Sequence, residues 1–392
     1  VFLYWSFQHN DSILEKSTEN IVASFTFGCL FYYYWCKWHI TNSTAYLVIS
    51  QPFCVQLNMR MLKFCSSPWK QVQIHSDGTV QPCLCGIWNT AGVIGNMLTQ
   101  SMSEIMQAEN VKRLREGVLD QSFSMCTDTC PYKWTTEQVA EFPDIIHDKT
   151  PMPTEILLAI DLNCNLKCPM CRTGSIFAKQ VDPTAQAILD KLVSSYKHTT
   201  TPTVLQMDGA GDVLASEAWR QFLRREDIPE CFRFHMITNG NLVMKNKDLM
   251  LKHKHRITSV DVSLDSTTDD VYSQVRGGKL SLVIAGMKWM RDQGIQTTIS
   301  FVVQRRNYRQ MIDCWRLAQE LGCHSINFQG IKHIRHMTDD YWQYTRLEDN
   351  PAVDMVHLRE SLTELANAPT VVDFSGKAPP PVYMDGTLRR FC

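Results

Sequence analysis

Three cysteines within eight residues, Cys164-Asn165-Leu166-Lys167-Cys168-Pro169-Met170-Cys171, are the sharpest chemical feature of this chain of 392 residues. With 15 cysteines in the whole sequence, the CxxxCxxC spacing is expected by chance only about 0.02 times, so accident explains it poorly. Thiolates this close together bind metal. A cubane of four irons needs four ligands, so three thiolates on one short loop leave one iron open to an exogenous molecule, and an open position signals catalysis rather than scaffolding. A structural zinc site, which also uses cysteines at short separations, is the alternative reading of the same residues.

A second cysteine group lies upstream. Cys65 is followed by the alternating stretch Gln71-Val72-Gln73-Ile74-His75, the turn Ser76-Asp77-Gly78 and a return run from Thr79 to Cys83. Asp-Gly between extended runs predicts a hairpin, because glycine accepts the positive φ of the turn. Ser101 and Glu104 read as a capping box that opens a helical stretch to about Arg115, stopped by Gly117. Cys126 and Cys130 come next. Spacing alone does not choose between iron and zinc for these four thiols, and Cys85 is close enough to Cys83 to replace it.

The elements that must position these groups are legible from Pro153 to about Ile331, where strand and helix patterns alternate. Candidate strands are 155–161, 204–207, 234–238, 259–264, 297–303 and 325–328, with helical segments near 184–196, 215–225, 246–253, 280–293 and 308–321. Six such units fit an open, partial barrel better than a closed one of eight. The CxxxCxxC loop follows the first strand. Asp208-Gly209-Ala210-Gly211-Asp212 follows the second, at the carboxyl end where parallel α/β architectures place their sites. In the fourth strand, period two puts Val260, Val262 and Leu264 on one face and Asp261, Ser263 and Asp265 on the other. That polar trio faces the barrel lumen, where burial is costly unless a partner or ligand satisfies it.

Together these residues resemble the radical S-adenosylmethionine (SAM) superfamily. The resemblance implies an α/β fold, a partial (β/α)6 barrel preceded by a small cysteine-rich module. It implies that Cys164, Cys168 and Cys171 hold a catalytic [4Fe-4S] cluster whose open iron is chelated by the amino and carboxylate groups of SAM. Reductive cleavage of SAM then yields a 5′-deoxyadenosyl radical that abstracts a substrate hydrogen. By the same resemblance Met170 packs near the adenine, Gly209, Gly211 and Asp212 hold the methionine amino group, and Ser263 with Arg276 binds its carboxylate, a task suited to the planar arginine fork. Thr238-Asn239-Gly240 resembles the family's TNG turn and counts as fold support only; Gln304 lines the cofactor pocket. Cys65, Gly78, Cys83, Cys126 and Cys130 resemble the SPASM and twitch modules, which implies an auxiliary [4Fe-4S] cluster. Two cysteines after the gap, where the full pattern has four, favour one auxiliary cluster. Such modules usually follow the barrel. Arg389-Arg390-Phe391-Cys392 echoes Leu62-Lys63-Phe64-Cys65, so the expectation is a fragment of a longer tandem protein.

The domain reading is an extension over 1–60, nearly uncharged beyond Glu19, the cluster module over 61–134, the barrel over 150–335, and a helical segment with the start of a truncated second module over 336–392. The extension is expected to be irregular or strand-rich rather than a membrane span, since its uncharged run from Asn20 to Cys36 is short and carries polar residues. Lys plus Arg total 39 against 40 for Asp plus Glu, a balance that lacks the basic excess nucleic acid demands. Thiols at metal-ligand spacing point to a reducing, cytoplasmic setting. The implied function is hydrogen abstraction from a peptide or sugar-type substrate, with a reductant such as flavodoxin or ferredoxin. The competing readings are a non-catalytic iron-sulfur electron-transfer or binding protein and a zinc-stabilised interaction module. Elsewhere, His253-Lys254-His255-Arg256 reads as a charged helix end, Arg305 and Arg306 as a solvated edge, Leu282, Ala285, Met287 and Trp289 as barrel packing, and Cys231, Cys314 and Cys323 as buried thiols.

Overall fold

Period-two alternation becomes a sheet in a computed structural model of the chain, which describes residues 21–29, 32–41, 44–49, 55–57, 63–84, 89–128, 130, 134–135, 152–172, 176–207, 211–334, 337–368, 382–385 and 388. The chain forms two compact units, 1–64 with 133–140, and 65–132 with 141–392. In the first unit β1 (Ile21–Cys29), β2 (Tyr32–Thr41), β3 (Thr44–Ile49) and β4 (Val55–Leu57) form an antiparallel meander. There β5 (Lys63–Phe64) also pairs antiparallel with β9 (Trp134–Thr135).

The second unit is built on one sheet. Its hairpin is β6 (Gln71–His75) and β7 (Thr79–Pro82), followed by the short β8 (Gly95–Asn96). The alternating region supplies β10 (Glu155–Ala159), β11 (Thr203–Met207), β12 (Phe232–Thr238), β13 (Ile257–Ser263), β14 (Thr297–Val303) and β15 (Ser325–Gly330). These six lie side by side in sequence order, each parallel to the next. Strict sequence order is that of a barrel wall; a doubly wound sheet would reverse it part-way. The sheet continues past the barrel at both edges. β6 pairs parallel with β10, Gln71 opposite Glu155 through His75 opposite Ala159, and β16 (Val382–Met384) pairs parallel with β15.

The helix-facing side of the wall is closed and apolar. Ile156, Leu158, Leu205, Phe232, Phe234, Val260, Val262, Ile299, Phe301 and Phe328 are fully buried, each contributing about 1.5–3 kcal/mol or less by its size. Helices Pro183–Tyr196, Glu217–Arg224, Lys247–Lys252, Leu280–Asp292 and Met311–Glu320 cover it. Their starts are encoded locally: Asp182 caps Thr184 N–H ahead of Pro183, and Ser216 caps Trp219 N–H. Lumen-facing positions of the same strands, among them Gln206, His235, Ser259, Asp261, Ser263, Ser300 and Asn327, are half-buried.

Several local expectations change. The Ser101/Glu104 capping box forms, yet it opens only Met102–Ile105, and a second helix, Glu109–Leu119, runs through Gly117. The chain folds back on Gly117: Phe123 N–H bonds its carbonyl at 2.7 Å, and a Cβ there would stand close to Ser124 Oγ, at 3.3 Å. Leu282 and Ala285 point outward, while Val283, Gly286, Met287 and Met290 form the packing face. His253 and Arg256 are buried rather than a solvated helix end; His253 bonds the Leu223 carbonyl and Arg256 pairs with Glu230. Arg305 and Arg306 stack on the Tyr344 ring, 4.2 and 4.8 Å from its centroid. Cys231, Cys314 and Cys323 are buried, and burial raises all three thiol pKa values. Among the described residues no helix is long and apolar enough to cross a membrane.

Candidate active site

The loop after β10 is tied down before its cysteines begin. Asp161 accepts from Asn163 N–H at 2.9 Å and from the Ser216 hydroxyl, and Asn163 Oδ1 accepts from Ala178 N–H at 2.6 Å. The loop after β11 docks on it, with Asp212 N–H donating to the Asn163 carbonyl at 2.8 Å. Gly211 makes this possible. A Cβ there would lie 2.3 Å from Asn163 O and 2.7 Å from Asp161 O, both backbone atoms.

Beyond this anchor, Cys164 and Cys168 are buried and Cys171 is exposed. The thiols line a cleft of about 400 Å³, counting its open mouth, together with Arg172, Gly211, Asp212, Thr238, Asn239, Ser263 and Arg276. Sequence-distant residues thus meet at the carboxyl ends of β10 to β13. Burial pushes the Cys164 thiol up to about 11. It raises Cys168 as well, against the pull of the Arg276 guanidinium. Such thiols stay protonated near neutrality unless a metal displaces the proton.

Each thiol has a nitrogen donor beside it. Asn239 Nδ2 lies 3.7 Å from Cys164 Sγ, Arg276 Nη1 lies 3.9 Å from Cys168 Sγ, and Arg172 hydrogen-bonds Cys171. Arg276, at the C-cap of helix Asp269–Val275, is itself held by Asp265, whose Oδ2 is 2.6 Å from Nε. Asp265 is fully buried at φ 54, with Oδ1 accepting from Val302 N–H at 2.6 Å and its carbonyl accepting from Asn307 at 2.8 Å. The polar trio of the fourth strand is therefore split: Asp261 and Ser263 face the lumen, and Asp265 turns to hold Arg276. With Nε taken, the Nη groups of Arg276 reach the cleft that Ser263 also lines.

Asp212 is held by the protein itself. Oδ2 accepts from Thr238 Oγ1 at 2.9 Å and Asn239 N–H at 2.7 Å, and Oδ1 from Leu214 and Ala215 N–H at 3.0 and 3.1 Å. Its four acceptor positions are filled by the protein, so in this structure it binds loops together instead of presenting a free carboxylate. Gly209 lies outside the described residues, as do Cys85 and Arg389 to Cys392.

Met170 is buried, and Gln304 Nε2 reaches its Sδ at 3.5 Å while Gln304 Oε1 accepts from Thr345 Oγ1 at 2.6 Å. Thr345 ends helix Asp339–Thr345, whose Tyr341 and Trp342 pack, with Met337, on the cluster of Cys164, Leu166, Cys168, Met170 and Ile331. The helix falls within the helical segment expected over 336–392, but its packing on the cysteine loop, Arg172 and the side-chain role of Asn239 were not read from sequence.

In the hairpin module, Cys83 and Cys126 pack on one apolar patch with Ala91, Leu114 and Met125. Cys83 has φ 64 and donates its N–H to the Gln71 carbonyl, which places it at the same end of the hairpin as the buried Cys65. Cys130 N–H bonds the Thr127 carbonyl at 3.2 Å. Among the described residues no three His, Cys, Asp or Glu side chains close on a single-ion site; thiolates at separate corners of a cube do not need to.

Family models match both regions: SPASM, an iron-sulfur cluster-binding domain, over residues 65–131, and the radical SAM superfamily over residues 162–318. The chain belongs to the radical SAM superfamily. Its SPASM domain stands ahead of its radical SAM domain. Among curated proteins it is similar to the antilisterial bacteriocin subtilosin biosynthesis protein AlbA of Bacillus subtilis (strain 168), 23% identical over 214 residues that cover 50% of this chain and 45% of the relative. It is similar to the serine-type anaerobic sulfatase-maturating enzyme of Bacteroides thetaiotaomicron, 23% identical over 184 residues, covering 43% and 44%. The chain thus spans less than half the length of these curated relatives. Among solved structures, Streptococcus suis SuiB bound to S-adenosylmethionine aligns with a TM-score of 0.44 and 16% identity, covering 72% of this chain and 63% of that one.

A radical SAM domain works with a [4Fe-4S] cluster and SAM, and a SPASM domain with auxiliary iron-sulfur clusters. The cleft fits the first pair: it offers soft thiols for iron, and a held arginine fork with a neighbouring hydroxyl for a carboxylate.

Proposed function

We propose that this chain is a radical SAM maturase acting on a peptide, in which Cys164, Cys168 and Cys171 hold the catalytic cluster while Ser263 and Arg276 bind the methionine carboxylate of SAM. The observation that supports this reading best is the convergence, in one cleft, of the three thiols with Ser263 and Arg276, the latter 108 residues beyond Cys168. When bound, the reduced cluster and SAM supply a 5′-deoxyadenosyl radical that takes a hydrogen atom from substrate. The chain's own residues bind and orient. Asp265 aims the Arg276 fork, Asp212 and Gly211 lock the two loops that frame the cleft, and Met170, bonded by Gln304, packs beneath the cysteine loop with Cys164, Leu166 and Cys168.

Cys65, Cys83, Cys126 and Cys130 are proposed to hold one auxiliary [4Fe-4S] cluster, and an external flavodoxin or ferredoxin to supply electrons. A peptide is favoured because both curated relatives are named for work on polypeptides, a bacteriocin and a sulfatase. The lumen offers amide and hydroxyl groups of the kind that hydrogen-bond a peptide backbone. The cysteines of both cluster regions, and Cys231, Cys314 and Cys323, are free thiols, which suits a reducing compartment such as the cytoplasm.

Anaerobic reconstitution with iron and sulfide tests the reading. Roughly eight irons per chain are expected for two cubanes, with release of 5′-deoxyadenosine from SAM under dithionite. Cys168→Ala should abolish the nucleoside while the auxiliary iron remains. Zinc in place of iron, or clusters without nucleoside, would overturn it.

A further inference from the structure

Asn239 ends β12 in a stretch that reads, from sequence, as a turn and nothing more. In the fold all its polar atoms are engaged. Its N–H donates to Asp212 Oδ2 at 2.7 Å, and its carbonyl accepts from Asn241 Nδ2 at 3.2 Å. Oδ1 accepts from Asn241 N–H at 3.1 Å, and Nδ2 donates to Asn165 Oδ1 at 2.9 Å while lying 3.7 Å from Cys164 Sγ. A backbone N–H only donates, so the Asn241 contact assigns the amide oxygen to that side and turns the NH2 group toward the cysteine loop. The residue is 6% exposed, which keeps water from competing for these bonds. Gly240 follows at φ 78, and a Cβ there would press on Val283 at 2.7 Å, so the turn itself is held in place.

A turn alone does not require this side chain, since Asp or Gly serves as well. What asparagine adds is a pair of N–H donors, one spent on Asn165 and one directed at sulfur. Hydrogen bonds to ligand sulfurs and the surrounding outer shell set the potentials of iron-sulfur clusters. Reduction adds negative charge, part of which resides on the thiolates, and an N–H dipole aimed at a thiolate stabilises it.

We propose that Asn239 tunes the reduction potential of the cluster ligated by Cys164, making it less negative through an N–H···S hydrogen bond. The inference rests on the ligation proposed above. No bond is made or broken at Asn239; the electron comes from an external low-potential donor. Arg276 and Arg172 stand similarly beside Cys168 and Cys171, but Arg276 is also assigned to the SAM carboxylate and Arg172 also holds the Leu162 carbonyl at 2.8 Å. Asn239 carries no charge; Asn239→Ala removes the sulfur contact together with the bonds to Asn165 Oδ1 and Asn241 N–H, and Asn239→Asp keeps the acceptor for Asn241 while removing the donors.

The test is an anaerobic redox titration of the reconstituted full chain, following the cluster's electron paramagnetic resonance (EPR) signal without SAM. The Cys65→Ala/Cys83→Ala background removes the auxiliary signal. Asn239→Ala, which deletes the donor, should shift the midpoint to a more negative potential. Asn239→Asp, which keeps the shape and the Oδ1 acceptor, should shift it further. Unchanged or more positive midpoints in both would overturn the inference. Should neither variant take up a cluster, electron-nuclear double resonance on wild type in H2O and D2O decides: an exchangeable proton coupled at hydrogen-bond strength supports the inference, and none overturns it. Absence of any cubane signal in wild type would instead sink the ligation reading, which keeps the two failures distinct.

Discussion

At the scale of single residues, the cleft depends on a missing atom as much as on the thiols. Gly211 lets the backbone after β11 meet the backbone before Cys164, and this contact aligns Asp212 with the Asn239 turn. Gly211→Ala places a methyl against two carbonyl oxygens that have no side-chain freedom to yield. The expected cost is about 1–3 kcal/mol, as for other overpacked sites, read from the denaturant midpoint. Iron bound by the barrel loop should fall while the SPASM domain keeps its own. A variant as stable and as iron-rich as wild type would show that the loops separate without harm. The sequence around Asp212 leaves its partners open at this scale, because a carboxylate near a glycine turn has two kinds of partner, ligand and protein donors. Only the positions of Leu214, Ala215, Thr238 and Asn239 reveal which one it takes.

At the scale of elements, helix Asp339–Thr345 covers the cysteine loop from beyond the alternating region. Trp342 packs on that loop's apolar cluster and stacks on His333 with centroids 5.3 Å apart at 19°. Truncating this half-buried ring in Trp342→Ala should cost about 1–2 kcal/mol, less than for a fully buried indole. It should also speed the loss of the cluster's visible absorbance in air, with little change in far-UV circular dichroism. Bleaching at the wild-type rate would remove the helix from any role in shielding the loop. The docking of Gln304 on Met170 leaves no local pattern because the contact links residues 134 apart.

At the scale of the whole second unit, the parallel pairing of β6 with β10 makes the SPASM hairpin part of the barrel wall. Shared backbone hydrogen bonds and a common core, in which Val72 and Ile74 join Ile156 and Leu158, predict one cooperative unfolding transition for both regions. Ile74→Ala should cost about 2–4 kcal/mol, as for a fully buried isoleucine. Hydrogen-exchange protection should then fall in β10 and β11 as well as in β6 and β7. A hairpin that opens alone while β10 keeps its protection would show two independent folding units.

Sequence by itself determined the CxxxCxxC loop, the six parallel strands and the Asp-Gly hairpin, because spacing, alternation and turn chemistry are local properties of the chain; Ser263 and Arg276 became candidates through the resemblance to radical SAM enzymes. Only the tertiary structure decided that the hairpin extends the barrel's sheet, that Asp265 holds Arg276, that Asp212 accepts from three backbone N–H groups and the Thr238 hydroxyl, and that the amide of Asn239 faces Cys164. The hairpin pairing and the Asn239–Cys164 contact join residues 84 and 75 positions apart, and the other two depend on how loops turn at the strand ends, none of which local patterns record.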